Sequence, residues 1–403
     1  MIDLYHPLRS LREGSWFKLI CGASFQHLPA VRSLTLAYAL AGADCIDVAA
    51  DPAVIDAARA ALHKARLLTP IAEAKGFKQL GLPWLMVSLN DGDDPHFRKA
   101  EFDPNRCPVT CPRPCEAICP AQAIVFAQEP TGFSGVVDRR CYGCGRCLPV
   151  CPIGQISTRS YVATPAAVAP LVLAGVDAVE IHTQVGRRAD FERLWQAIVP
   201  FLPRLKLIAI SCPDGDGLIA YLRSLYELMA PLPCSLIWQT DGRPMSGDIG
   251  DGATRAAVKL GQKVLAANLP GYVQLAGGTN RHTLTKLAAL GLLKSQIHPE
   301  APHRYIAGIA YGSYARSLLA PVLDQLEQRQ DDARSSSTML ALNGSVAAVD
   351  QPPPIASPLQ LEDAPDLLWQ AVHLAYSLVS PLKTPMTHKP LASTLPEPSR
   401  ASH

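Results

Sequence analysis

No stretch of the 403-residue chain is apolar for the roughly 18 residues a bilayer crossing needs, so no membrane span is expected. A surplus of charge is missing too. Lys and Arg number 37 against 35 Asp and Glu, a formal net charge of +2, and no basic run interrupts the chain. Without a positive field to neutralise phosphates, nucleic acid is not expected as a partner. The opening MIDLYHPLRSLREG lacks the apolar core of a secretory signal, so its thiols are expected in a reducing cytosol. Charged residues reach only 18% against 48% hydrophobic, the balance of a globular chain with core enough for two or three domains.

Cysteine is plentiful. Eight of the twelve lie in two runs. The second, Cys141-x2-Cys144-x2-Cys147-x3-Cys151-Pro152, has the spacing of a bacterial ferredoxin half. The first, Cys107-x3-Cys111-x3-Cys115-x3-Cys119-Pro120, is looser but closes the same way. Three thiolates on a tight loop grip three corners of one cube, while the fourth, before proline, points elsewhere. In two-cluster ferredoxins that fourth cysteine ligates the other cluster. The resemblance to those ferredoxins implies Cys107, Cys111, Cys115 and Cys151 on cluster one, and Cys141, Cys144, Cys147 and Cys119 on cluster two. The expected cofactors are two [4Fe–4S] clusters, one of them open to isolation as [3Fe–4S]. Gly143 and Gly145 leave room for amides beside the inorganic sulfurs. Structural zinc usually takes two separated cysteine pairs, and a disulfide framework needs an oxidising compartment. Cys21, Cys45, Cys212 and Cys234 read as small core residues.

Around the cysteines, strand and helix patterns alternate. Strands are expected at 18–24, 44–50, 84–90, 178–183, 206–212, 235–241, 272–278 and 305–311, each followed by a helical stretch once the cysteine segment is set aside. Eight alternations predict a (β/α)8 TIM barrel, with a doubly wound open sheet as the alternative. LAGADCIDV (40–48) and LAGVDAVEI (173–181) repeat one helix–turn–strand unit on either side of the cysteines. A ferredoxin-like module is therefore expected as an insertion after strand three. The domains read as 1–95 and 161–327 for the barrel, 96–160 for the insert, and 328–403 for a polar, proline-rich linker, one amphipathic helix near 365–380 and a disordered tail.

In a barrel, ligand-binding side chains gather at the C-terminal ends of the strands. Strand alternation turns Asp47, Glu180 and His182 inward, with Lys18 as a candidate counter-ion. Two readings of that group stand side by side: a barrel-mouth site and a buried polar network. Gly277, Gly278 and Asn280 follow strand seven and are candidates for a phosphate or flavin cradle, with a plain tight turn the favoured reading of the residues. The loop 240–252 is long and glycine-rich enough to be a lid, and a plain surface loop reads equally from it.

The opening YHPLRSLREGSWFKLICGASFQHLP, with CPVTCPRPCEAICPAQAI and VVDRRCYGCGRCLPVCPIGQI, resembles the LdpA family, the light-dependent period proteins of cyanobacteria. The resemblance covers residues 1 to about 325; the extension after about 328 finds no counterpart in it. It implies an iron–sulfur redox sensor that feeds cellular redox state, and so light, into the circadian clock. It also implies clock-input proteins as partners, with photosynthetic electron carriers a further expectation. An oxidoreductase passing electrons to a flavin or substrate in the barrel mouth is the alternative, and a scaffold with structural clusters a third. A flavin band in the purified protein separates the first two. No catalytic constellation is sharp enough to name a reaction, which favours the sensor.

Overall fold

In the computed structural model, eight strands alternate apolar residues on one face with a mixed set on the other. The structure describes residues 6–22, 27–78, 81–92, 98–119, 122–128, 132–138, 140–141, 147–160, 165–242, 253–296, 305–343 and 359–384. The strands are β1 (Trp16–Gly22), β2 (Cys45–Ala49), β3 (Trp84–Asn90), β4 (Ala178–His182), β5 (Leu207–Pro213), β6 (Ser235–Asp241), β7 (Tyr272–Ala276) and β8 (Gly308–Tyr311). Each pairs in parallel with its sequence neighbours, and β8 returns to β1 with Gly308 opposite Trp16. The sheet is a closed barrel, and the open-sheet alternative is excluded.

The helices around it are α1 (His6–Glu13), α2 (Leu28–Leu40), α3 (Pro52–Ala74), α4 (Pro165–Leu173), α5 (Arg188–Ile198), α6 (Leu218–Met229), α7 (Ala253–Ala266), α8 (Thr283–Ala289), α9 (Ser313–Asn343) and α10 (Pro365–Lys383). Phe17, Leu19, Val48, Val87, Ile181, Ile210, Trp238 and Ile309 belong to the large core between strands and helices. Their alternate neighbours Trp16, Cys45, Trp84, Met86, Ala178, Ala209 and Ile237 fill the barrel interior. Trp16 meets Trp84 edge to face at 5.9 Å, and Leu11 of α1 joins this plug at the N-terminal end. Bulky apolar residues thus close one end of the barrel, and polar ones occupy the rest.

Helix α3 begins where Asp51 Oδ1 accepts the Ala53 amide at 2.8 Å, with Pro52 at the first helical position. β3 and β4 are adjacent and parallel, with Ser88 opposite Glu180. The long segment between them therefore leaves the barrel at the C-terminal end of β3 and returns through α4 to the N-terminal end of β4. Within it, Arg98–Glu101 pairs antiparallel with Ser157–Ser160, and Ile124–Gln128 with Phe133–Val136. One-turn helices span Pro114–Ile118 and Cys147–Val150. Ala100, Cys115, Ala123, Ile124, Cys141, Cys147 and Ile156 form a separate small core.

The polar stretch expected as linker from 328 is different. Residues 313–343 are one helix, α9, so QRQDDARSSST continues it instead of breaking away. The stretch contains no glycine or proline to stop a helix that is already propagating. DQPPPIASP (350–358) lies outside the described residues, as does 385–403. Helix α10 packs on α2, α9 and β1. Leu368, Val372, Ala375 and Val379 are buried, and Trp369 stacks on Phe77 at 6.0 Å. Arg32 forks onto Glu362 at 2.6 and 2.5 Å, and Arg329 onto Asp366 at 2.9 and 2.5 Å. α10 is thus part of the main core. Leu368→Ala is expected to cost about 2–5 kcal/mol, read as a lower urea midpoint; a loss below about 1 kcal/mol would detach α10 from that core.

Candidate metal centre and barrel mouth

The two cysteine runs are built alike. Cys115 lies on the helix Pro114–Ile118 and Cys119 follows that helix; Cys147 opens Cys147–Val150 and Cys151 follows it. These two one-turn helices pack against each other, which brings the runs together. Burial pushes the Cys115 thiol up to about 11; nearby amides oppose this, and Cys151 and Cys107 add to the rise. Three thiols drawn from both runs therefore share one electrostatic neighbourhood. Among the described residues, no three His, Cys, Asp or Glu side chains gather as a ligand set for a single metal ion.

Donors aim at the sulfurs. The Ala123 amide reaches Cys119 Sγ at 3.2 Å, the Ala100 amide reaches Cys141 Sγ at 3.4 Å, and Gln155 Nε2 reaches Cys107 Sγ at 3.0 Å. At Cys151, burial opposes ionisation. The amides of Ile153, Gln155, Ile156 and Gly154 outweigh it and hold the thiol below its ordinary value. N–H donors on cysteine sulfur are what an iron–sulfur cluster needs, because they offset the negative charge of thiolate-bound iron. On this donor set the residues fit such a group. Cys111 is half-buried. Cys144, Gly143 and Gly145 lie outside the described residues. Gln155, on no repeating pattern, gave no signal in the sequence.

Inside the barrel, Asp47 and Glu180 meet as strand parity predicted, with Lys18 between them. Lys18 is fully buried and binds Glu180, and its Nζ lies 3.3 Å from Asp47 Oδ2. His182 Nε2 is 3.3 Å from Glu180 Oε1. Burial disfavours the Lys18 ammonium, but Glu180 and Asp47 raise its pKa above the ordinary lysine value. Burial pushes the Asp47 carboxyl up to about 6 against the pull of Lys18. Further contacts continue the chain. Trp16 Nε1 donates to Gln274 Oε1, Gln274 Nε2 to Gln239 Oε1, and Gln239 Nε2 to Glu180 Oε1, all at 2.6 Å. On the other side Ser88 Oγ donates to Asp47 Oδ1 at 2.7 Å. The polar groups are spent on one another from Trp16 to Ser88. This geometry favours the buried network over an open ligand site.

Gly277 and Gly278 have φ of 63° and 106°, in the left-handed region glycine favours. Asn280 Oδ1 accepts the His282 amide at 2.9 Å, and its own amide donates to Thr283 Oγ1 at 2.9 Å. These bonds close a turn at the start of α8, which leaves Asn280 little to offer a phosphate. Most of the expected lid, residues 243–252, lies outside the described residues.

Comparison with known proteins places both regions. The model of an LdpA Fe-S cluster-binding domain matches residues 107–162, and that of a light dependent period A C-terminal domain matches 171–381. "Light dependent period A" of Synechococcus elongatus is 50% identical over 378 residues, 94% of each chain. The second match runs through α10, so the segment after 328 is not foreign to these proteins, contrary to the expectation from resemblance.

Proposed function

Because this chain belongs to the light dependent period A family and carries its iron–sulfur domain, we propose that it is a redox sensor with two ferredoxin-type [4Fe–4S] clusters. Its output is the coupling of cellular redox state, and so light, to circadian period. The observation that carries the reading is the packing of the helix that bears Cys115 against the one that bears Cys147, which brings the two cysteine runs together. It supports cross-ligation: Cys107, Cys111, Cys115 and Cys151 on one cluster, Cys141, Cys144, Cys147 and Cys119 on the other. When bound, such clusters supply one-electron redox chemistry at potentials set by exposure and by hydrogen bonds to sulfur.

The chain's own residues supply a path from the centre to the barrel. The Ala100 amide touches Cys141 Sγ; the neighbouring Lys99 donates to the Asp138 carbonyl at 2.5 Å and lies 3.4 Å from Asp51, the cap of α3. A change of charge at the Cys141 sulfur is therefore felt one residue from a buried ion pair on the barrel. The partners proposed are clock-input proteins, with photosynthetic electron carriers setting the redox state. The site proposed is the reducing cytosol; no helix among the described residues is long and apolar enough to cross a membrane.

Anaerobic purification with iron and sulfide analysis and EPR tests the reading. About eight irons and eight sulfides per chain are expected. Zinc in their place would overturn it.

A further inference from the structure

The repeated LAGAD and LAGVD turns build the same joint twice. The Asp44 amide donates to the Phe17 carbonyl and the Asp177 amide to the Leu85 carbonyl, both at 2.9 Å. The Phe17 amide donates to Asp44 Oδ2 at 2.7 Å, and the Leu85 amide to Asp177 Oδ2 at 3.0 Å. The carbonyls of Asp44 and Asp177 accept the amides of Trp84 and Lys206 at 2.9 and 2.8 Å. Each carboxylate also holds a lysine, Lys383 on Asp44 and Lys206 on Asp177. The surroundings of the two joints are therefore comparable position by position.

They differ in one respect. The first joint lies in a groove bounded by α9, β1 and α2, and α10 packs on all three, delivering Lys383 to Asp44. The second lies in the corresponding groove of α3, β3 and the turn after α4. There the described residues leave a cavity of about 310 Å³. The half-buried Leu62 and Leu82 contribute apolar lining; Trp84 and Leu85 border it but are already buried. Arg59, His63 and Arg66, at helical spacing on one face of α3, and Lys206 make its rim basic. Two carboxylates oppose them: Asp177 takes Lys206 at 2.5 Å and Asp56 takes Arg59 at 3.4 Å. Arg59 also donates to the Gly175 carbonyl at 3.2 Å, seated so closely that a Cβ at 175 would lie 1.7 Å from its Nη2. His63 and Arg66 have no hydrogen bond or ion pair among the described residues. Leu67 on α3 and Leu171 on α4 stand 60% and 66% exposed.

We propose that this groove docks an acidic amphipathic helix of a partner protein, as its counterpart docks α10. A helix is the occupant because a helix occupies the equivalent groove. Its apolar face would cover the half-buried Leu62 and Leu82, and its flanking carboxylates would meet His63 and Arg66. A rim with excess positive charge selects an acidic helix and repels a basic one.

The test uses the full chain and two labelled helical peptides. Both carry leucines along one face; one is flanked by glutamates, the other by lysines. Fluorescence anisotropy is expected to show the glutamate peptide binding and the lysine peptide not. The double variant His63→Glu, Arg66→Glu should weaken the glutamate peptide about tenfold and admit the lysine peptide. Both positions are exposed, so the variant should keep its circular dichroism spectrum. Equal binding of both peptides, no binding of either, or insensitivity to the double variant overturns the proposal. A concentration-dependent dimer that the double variant abolishes would give the groove to a second copy, and overturns it too.

Discussion

Replacing Cys151 with serine is expected to remove about half the iron and sulfide, and to remove the same EPR component that Cys107→Ser removes. Cys151 follows Cys147 by four residues and Cys107 by forty-four, so simple proximity in sequence predicts the opposite pairing. The ferredoxin spacing predicts the crossed pairing, and the packing of the two runs supports it. The helices Pro114–Ile118 and Cys147–Val150 pack together, with Cys115 on the first and Cys151 just after the second. Its sulfur is held by the amides of residues 153–156, a cradle that favours thiolate, and a serine oxygen is a poor substitute on iron. Cys119→Ser is the mirror case and should share its loss with Cys141→Ser. The measurement is EPR of anaerobically purified variants beside iron and sulfide content. If Cys151→Ser and Cys147→Ser lose the same component, each run closes its own cluster and the cross-ligation is wrong, while the clusters themselves stand.

The parts of this molecule that were readable beforehand share one cause, a period imposed by burial. Strands such as WLMVSLN show their two faces because one meets helices and the other the barrel interior, and the same parity turned Asp47 and Glu180 inward. Duplication placed the cysteine segment, because LAGAD and LAGVD each tie a strand to its neighbour through one aspartate. What escaped depends on partners distant in sequence. HPLRSLRE became α1 only because Leu11 finds the Trp16 and Trp84 plug. Gln239 and Gln274 carry no pattern of their own; their roles appear only when β6 and β7 stand side by side with the two glutamines opposite each other. QRQDDARSSST looked like linker because polar composition marks exposure, and exposure does not distinguish a helix from a coil.

Loss of the Glu180 carboxylate should be the most damaging single change in the barrel. Glu180→Ala leaves the Lys18 ammonium, fully buried, with Asp47 alone, and leaves the Gln239 amide without the acceptor it meets at 2.6 Å. Breaking one side of a buried pair costs about 3–5 kcal/mol, because the remaining charge keeps its desolvation penalty. Asp47→Asn should behave differently. Burial raises the Asp47 carboxyl to about 6, so the folded protein binds that proton more tightly than the unfolded chain does. The stability this contributes is complete below the ordinary carboxyl value of 3.8 and is lost as pH rises through about 6. Asparagine removes that loss: its Oδ1 can still accept from Lys18 while its Nδ2 donates to Ser88 Oγ. Relative to the wild type, Asp47→Asn is therefore expected to gain stability between pH 4 and pH 7, while Glu180→Ala remains weak throughout. Urea midpoints of the three proteins across that range decide it. A Glu180→Ala loss under about 1 kcal/mol, or an Asp47→Asn difference that does not grow with pH, would mean that the Lys18 network is not what holds the barrel interior together.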